Sequence, residues 1–152
     1  MKLKLPLIVA FVAVLGLTAC GGGSSGSGTV ADNAPALKIT ETVAGTGAVA
    51  ATGTIPTIKY TGWLYSSTAA GHKGTQFDAG TINAAGTSTA QQIKLGTNSL
   101  IPGFEQGVVG MKVGAQRTIE IPSSLGYGVN GSPPSIPPNA GLVFDVELTA
   151  VN

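Results

Sequence analysis

Alternation of apolar and polar residues predicts several short strands after residue 36. Leu37 and Ile39 alternate with Lys38 and Thr40, which is the period-two pattern of a strand with one buried face. Further segments show strand character through the same alternation or through β-branched and aromatic residues. They cover residues 55–64, 91–95, 117–121 and 142–148.

Only one segment, residues 102–109, is predicted to be helical. It has Pro102 near its start, where a missing backbone N–H is tolerated, and Gly110 after its end. Its internal glycines lower the helix propensity by about 1 kcal/mol each, so packing against other elements must stabilise it. Five or so strands with one short helix predict an α+β domain built on an antiparallel sheet.

The first twenty residues have a different pattern, with a basic start followed by an apolar run. Lys2 and Lys4 precede the run at 5–17, which is shorter than the ~20 residues needed to cross a bilayer. This length is typical of the hydrophobic region of a signal peptide. The run ends in residues 17–20 (Leu-Thr-Ala-Cys), which resemble the lipobox of bacterial lipoproteins and imply cleavage before Cys20 and lipidation of that residue.

We therefore expect a lipoprotein signal peptide over 1–19, a lipidated Cys20 with a linker over 20–35, and a folded domain over 36–152. Residues 21–28 contain only glycine and serine, the composition of a flexible linker. There are two alternatives to a lipoprotein signal: an ordinary secretory signal with an accidental cysteine, and an uncleaved anchor. The expected location is the bacterial cell envelope, as a lipid-anchored membrane protein. In a Gram-negative cell, Gly21 favours sorting to the outer membrane, facing the periplasm.

Charge and composition argue against several classes of function. The chain has eight basic and seven acidic residues; without Lys2 and Lys4, six basic residues remain and the net charge is −1. A nucleic-acid-binding protein would show a basic stripe, so nucleic acid is not an expected partner. One cysteine cannot form an intramolecular disulfide, and one histidine, His72, does not make a transition-metal site. No metal or other cofactor is expected.

Short motifs in the folded part resemble those of FKBP-type peptidyl-prolyl isomerases. In chain order they are 58–64 (Ile-Lys-Tyr-Thr-Gly-Trp-Leu), 76–78 (Gln-Phe-Asp), 95–96 (Leu-Gly), 100–107 (Leu-Ile-Pro-Gly-Phe-Glu-Gln-Gly), 111–114 (Met-Lys-Val-Gly), 121–122 (Ile-Pro), 125–128 (Leu-Gly-Tyr-Gly), 135–140 (Ser-Ile-Pro-Pro-Asn-Ala) and 142–148 (Leu-Val-Phe-Asp-Val-Glu-Leu). Their order and spacing are similar to the family's over about residues 36–152. The resemblance implies an FKBP-like α+β fold, in which an antiparallel sheet of five to six strands wraps around one short helix.

The resemblance also implies an activity, that of a peptidyl-prolyl cis-trans isomerase (EC 5.2.1.8) acting on exported proteins. It identifies Tyr60, Asp78 and Tyr127 as catalytic residues, with the Tyr127 hydroxyl bonded to a substrate carbonyl and Asp78 near the displaced carbonyl. The residues that it implies for an apolar substrate-binding cup are Phe77, Leu100, Ile101, Phe104, Ile136 and Phe144. The expected partners are proline-containing polypeptides and, through the lipid, the membrane; the protein is expected to be a monomer.

Two other functions remain open on sequence alone. The same pocket could hold proline-containing segments without efficient catalysis, as a binding module or chaperone. This alternative is favoured by Gln91, where the family usually has an aromatic residue. Residues 80–90 also contain no arginine, which in some members pairs with the aspartate, so Asp78 would need another partner. A β-rich surface or adhesion lipoprotein would explain the signal and the linker but not the ordered motifs.

Overall fold

The computed structural model describes residues 33, 34, 36–85, 88 and 92–152. The predicted signal peptide over 1–19, the predicted lipidation site Cys20, most of the predicted linker and Gln91 lie outside the described residues. None of the helices in the described ranges is long and apolar enough to span a membrane.

Five antiparallel strands form one sheet in the described part of the chain. Their bounds are Lys38–Val43 (β1), Pro56–Tyr65 (β2), Lys73–Ile82 (β3), Gln116–Ile121 (β4) and Leu142–Val151 (β5). Their order across the sheet is β1-β4-β5-β2-β3, so β5 lies in the centre and β1 and β3 form the two edges. The predicted α+β class, with an antiparallel sheet and one short helix, is confirmed.

The sequence pattern predicts one strand that the structure does not contain in the described residues, at 92–95, and does not predict β3. The strand predicted over 91–95 is absent from residues 92–95, which instead bridge two other segments. There the Ile93 N–H donates to Asn83 Oδ1 at 2.7 Å, and the Leu95 N–H donates to the Thr54 carbonyl at 3.0 Å. β3 carries no clear alternation because it is an edge strand whose side chains are largely exposed.

The helix α1, Pro102–Val108, packs directly on the sheet. A Cβ added at Gly103 would overlap the side chain of Ile121, and one added at Gly107 would overlap that of Ile119, both on β4. The glycines that weaken the helix propensity are thus required where helix and sheet make their closest approach. This contact fixes the start of α1 relative to the neighbouring strands.

Alternation along β2 and β5 gives the sheet two different faces. The face under α1 is apolar and includes Ile58, Leu142 and Leu148, which are all fully buried. The opposite face carries polar and charged side chains. There Asp145 accepts hydrogen bonds from Lys73 Nζ at 2.5 Å and from Thr118 Oγ1 at 2.8 Å.

Two residues of the predicted linker contact the folded domain. Ala34 is 1% exposed and packs against Tyr65 and Val143 on the face opposite α1. Next to it, Asn33 Oδ1 accepts a hydrogen bond of 2.8 Å from the Ser123 backbone N–H. The chain is therefore fastened to the back of the sheet before β1 begins.

Candidate active site

An open cavity of about 420 Å³ lies on the helix face of the sheet, at the start of α1. It is lined by Tyr60, Phe77, Asp78, Ile82, Asn98, Ser99, Leu100, Ile101, Pro102, Phe104, Tyr127 and Phe144. The structure thus brings together all of the catalytic and substrate-binding residues inferred from sequence except Ile136. They come from β2, β3, β5, α1 and two loops, so no single segment builds the site.

Ile136 lies in the core, outside the cavity lining. Its side chain is 4% exposed and packs in the main apolar cluster. Its backbone pairs with that of Ser132, with Ile136 N–H to Ser132 O at 2.9 Å and Ser132 N–H to Ile136 O at 2.8 Å. Ile136 therefore anchors the loop between Tyr127 and β5.

Phe144 is the centre of the cluster of aromatic rings that lines the cavity. Its ring lies edge-to-face against Phe104, at a centroid distance of 5.1 Å, and against Phe77, at 5.6 Å. The ring of Tyr60 is 6.3 Å away and tilted. These are the separations at which aromatic pairs attract beyond their burial. The result is an apolar surface made of three strands and α1.

Gly62 on β2 makes room for this cluster. A Cβ added there would lie 2.7 Å from Phe144 Cε1 and 2.8 Å from Phe77 Cζ, closer than nonbonded atoms approach. A side chain at this position would push the two rings apart. The Tyr-Thr-Gly motif thus has a packing reason for its glycine.

Asp78 finds its partner on the neighbouring strand. The Tyr60 hydroxyl donates to Asp78 Oδ2 at 2.8 Å, and the Ala79 backbone N–H donates to Oδ1 at 2.9 Å. Burial, the hydrogen bond to Asp78 and the charge of that carboxylate raise the pKa of Tyr60 to about 12. The hydroxyl is therefore protonated, and bonded to the carboxylate, over the whole physiological range.

Tyr127 stands at the rim of the cavity with 40% of its surface exposed. It lies between two short 3₁₀ helices, Ser123–Leu125 and Gly128–Asn130. Burial and the charge of Asp78 raise the pKa of its hydroxyl. In the described part of the chain this hydroxyl has no hydrogen-bond partner, so it can donate to a bound molecule.

A second donor in the cavity lining lies at the N-cap of α1. The Ile101 carbonyl accepts from the backbone N–H groups of Phe104 and Glu105, at 3.1 and 3.2 Å. Its own N–H has no acceptor among the described residues. Tyr127 and Ile101 thus offer two donors in the lining of an aromatic cup, where they could bond the carbonyls of a bound peptide.

Ile82, Asn98, Ser99 and Pro102 also line the cavity but were not inferred as site residues from the sequence. Pro102 lies inside a recognised motif, which could have signalled it. Ile82 follows a segment without apolar periodicity, and only the pairing of β3 with β2 reveals where it lies.

Another cavity, of about 350 Å³, lies on the polar face of the sheet. Its charged lining residues include Lys73 and Asp145, which are bonded to each other. The apolar cavity, with its free donors, is the better candidate for a binding site.

Comparison with known proteins identifies the family to which the sequence is similar. The sequence model of the family described as FKBP-type peptidyl-prolyl cis-trans isomerase matches residues 47–149. The chain is 44% identical to FK506-binding protein 1B of Neurospora crassa over 111 residues, which are 73% of this chain and 93% of that protein. It is 57% identical to peptidyl-prolyl cis-trans isomerase FKBP15-1 of Arabidopsis thaliana over 61 residues. That match spans 40% of each of the two chains, less than half of the plant protein.

A solved structure is similar as well. It is a peptidyl-prolyl cis-trans isomerase from Pseudomonas syringae pv. tomato, with a TM-score of 0.58 and 32% sequence identity. The similarity covers 79% of this chain and 78% of that one. The likeness thus extends over more than three quarters of both chains.

Proposed function

Because this chain belongs to the FKBP-type peptidyl-prolyl cis-trans isomerases, we propose that it accelerates X-Pro rotation in exported proteins while a lipid on Cys20 holds it at a bacterial membrane. The proposed location rests on the sequence of residues 1–28: a basic start, a short apolar run, the Leu-Thr-Ala-Cys motif and a Gly/Ser segment. The proposed clients are therefore proline-containing polypeptides outside the cytoplasm.

Rotation about an X-Pro bond is slow because amide resonance imposes a barrier of about 18–20 kcal/mol. The enzyme needs no covalent intermediate; it must bind the twisted amide better than either planar form. A thousandfold acceleration requires about 4 kcal/mol of such preference.

The aromatic cup supplies affinity for the proline ring. Burying three ring methylenes contributes about 2.4 kcal/mol, at about 0.8 kcal/mol each. The cis and trans isomers both gain this energy, so it does not by itself raise the rate. The cup also excludes water from the amide, which disfavours the more polar planar resonance form.

We assign the rate-enhancing groups to the polar rim of the cup. The Ile101 N–H and the Tyr127 hydroxyl would bond the carbonyls that flank the proline and hold the peptide on both sides of the twisting bond. Asp78, bound by Tyr60, would lie near the carbonyl that rotates out of the amide plane. The juxtaposition of free donors and an aromatic floor in one cavity is the observation that carries the proposal.

A protease-coupled proline isomerisation assay on the detergent-solubilised full chain tests the catalytic part. Acceleration well above the uncatalysed rate is expected. Peptide binding with a rate at background would instead indicate a binding module or chaperone, and the enzymatic proposal would fail.

Membrane fractionation tests the anchor. The wild-type chain should partition with membranes, whereas Cys20→Ser should appear in the soluble fraction of the envelope, because the lipid acceptor is gone. Ser27→Ala, a change in the same segment, is the matched control and should stay with membranes. Membrane association of Cys20→Ser would refute lipidation without affecting the catalytic proposal.

A further inference from the structure

The end of β3 extends one wall of the cavity beyond Asp78. In the pairing of β2 with β3, Asp78 lies opposite Gly62 and Gly80 lies opposite Tyr60, and Ile82 follows two residues later. Alternate residues of a strand point to the same face, and directly paired residues share a face. β3 therefore presents three successive positions to the cavity: the carboxylate of Asp78, Gly80 without a side chain, and the aliphatic side chain of Ile82.

The ring of Tyr60 occupies the space that Gly80 leaves. A Cβ added at Gly80 would lie 3.3 Å from the Tyr60 hydroxyl oxygen and 3.5 Å from Cζ. The ring is thus set against β3, with its hydroxyl bonded to Asp78. Ile82 lies at the next position along this wall, half-buried, where it packs against the core and also lines the cavity.

The residue after Ile82 fixes the end of the strand. Asn83 adopts a left-handed conformation, with φ of 52°. Its Nδ2 donates to the carbonyls of Pro56 and Ile93, both at 2.8 Å, and its Oδ1 accepts from the Ile93 N–H at 2.7 Å. Its carbonyl accepts from Thr57 Oγ1 at 3.1 Å. Asn83 thus ties the end of β3 to the start of β2 on one side and to the segment at Ile93 on the other.

We infer that Ile82 is a specificity-determining residue for the side chains that flank the substrate proline, and that Asn83 is its positioning residue. The inference rests on the proposed function. With the proline ring over Phe104 and Phe144, a neighbouring substrate side chain on the β3 side of Tyr60 meets Ile82. An aliphatic or aromatic side chain gains apolar contact there, whereas glycine and alanine are too short to reach it.

The test compares peptides that differ only next to proline. Two series, Xaa-Pro and Pro-Xaa with Xaa as Gly, Ala, Leu, Phe or Glu, are measured for kcat/KM and for Kd with the full chain in detergent micelles. Ile82→Ala should lower kcat/KM about tenfold for the Leu and Phe peptides of at least one series. The Gly and Ala peptides should change by less than about twofold, because they make no contact with Ile82.

Leu37→Ala is the matched control. Leu37 is also half-buried against the core, but it does not line the cavity, and the substitution removes the same number of carbon atoms. It should leave the ranking of the peptides unchanged. Ile82→Val, a smaller truncation that preserves the fold more safely, should show the same selective loss to a smaller degree, and melting temperatures are recorded for all variants.

The outcomes separate this inference from the proposed function. An equal loss for every peptide, or no loss, overturns the role of Ile82. If the wild-type chain is inactive on all peptides, the proposed function fails, while the Kd ranking of wild type against Ile82→Ala still decides the role of Ile82.

Asn83→Gly tests the positioning role, because glycine keeps the left-handed backbone but loses the side-chain hydrogen bonds. It should reproduce the selective loss for Leu and Phe peptides. A lower melting temperature with an unchanged peptide ranking would show that Asn83 serves stability alone.

Discussion

The Tyr60 hydroxyl on β2 donates a 2.8 Å hydrogen bond to Asp78 Oδ2 on β3, so the carboxylate of the site is held by a residue of the adjacent strand. The sequence left open which group could pair with Asp78, since residues 80–90 contain no arginine. The pairing of the two strands provides the answer, because Gly80 leaves room for the Tyr60 ring beside the carboxylate.

Tyr60→Phe should lower kcat/KM about tenfold, since it keeps the ring in the cup but removes a hydrogen bond to a charged group. The assay is isomerisation of the best peptide substrate. Asp78→Asn is the companion variant: it can still accept from Tyr60 but carries no charge. A smaller loss in Asp78→Asn than in Tyr60→Phe would assign the effect to the hydrogen bond rather than to the charge. Wild-type rates in Tyr60→Phe would contradict the role of the pair.

The raised pKa of Tyr60 predicts a pH dependence of stability. In the unfolded chain the hydroxyl titrates near 10.0, and in the folded protein at about 12. The protonated hydroxyl therefore stabilises the fold fully below pH 10, and this stabilisation is lost as the pH rises through 12. The free energy of unfolding of wild type, minus that of Tyr60→Phe, should be constant below pH 10 and fall above it. A constant difference up to pH 12 would contradict the assignment.

Tyr127→Phe should reduce kcat/KM about five- to tenfold, because the substrate carbonyl loses one donor worth about 1 kcal/mol. The melting temperature should stay near the wild-type value, since the hydroxyl has no partner in the described part of the protein and the residue is 40% exposed. Val129→Ala, an exposed change in the same loop, is the control. Equal losses in both variants would assign the effect to the loop rather than to the hydroxyl.

Phe144→Ala should destabilise the protein by about 3–5 kcal/mol, because the ring is buried and contacts three other aromatic rings. Phe144→Leu retains most of the volume and should cost less stability, yet it removes the edge-to-face contacts that shape the cup. Urea unfolding measures the first effect and peptide isomerisation the second. Unchanged turnover in a folded Phe144→Leu variant would show that this ring does not shape the binding cup.

Gly62→Ala should impair both stability and turnover, because the added Cβ would overlap Phe144 and Phe77. Thr61→Ala, its neighbour on the other face of β2, is the control and should retain turnover. A fully active Gly62→Ala variant would show that the rings of Phe144 and Phe77 can move apart without lowering the rate of isomerisation.

The fold was predictable where the chain alternates regularly or carries a recognisable motif. Four of the five strands and α1 follow from the sequence within a few residues. β3 could not be predicted because an edge strand is specified by its pairing partner more than by its own pattern. For the segment 91–95 the pattern predicts a strand that residues 92–95 do not form. Ile93 and Leu95 alternate with polar residues, but their backbone N–H groups bond to Asn83 and Thr54 instead of to a neighbouring strand.

The site was predictable to the extent that it consists of motif residues. Ile136 belongs to a motif but does not line the cavity. An apolar residue next to proline can either line a cavity or fill the core, and the neighbouring sequence does not distinguish these two positions. Ile82 is the opposite case. It lies four residues beyond the nearest motif, and its place beside Tyr60 follows only from the register of β3 on β2.

The attachment of Asn33 and Ala34 to the back of the sheet has a geometric consequence for the proposed lipid anchor. The 13 peptide units from Cys20 to Asn33 span at most about 45 Å, and they end on the face opposite the cavity. With the proposed lipid on Cys20, the linker would join the domain on the face opposite the cavity and would leave the cavity free for polypeptides. Because Asn33 also binds Ser123, four residues before Tyr127, the linker joins the domain next to the loop that carries Tyr127.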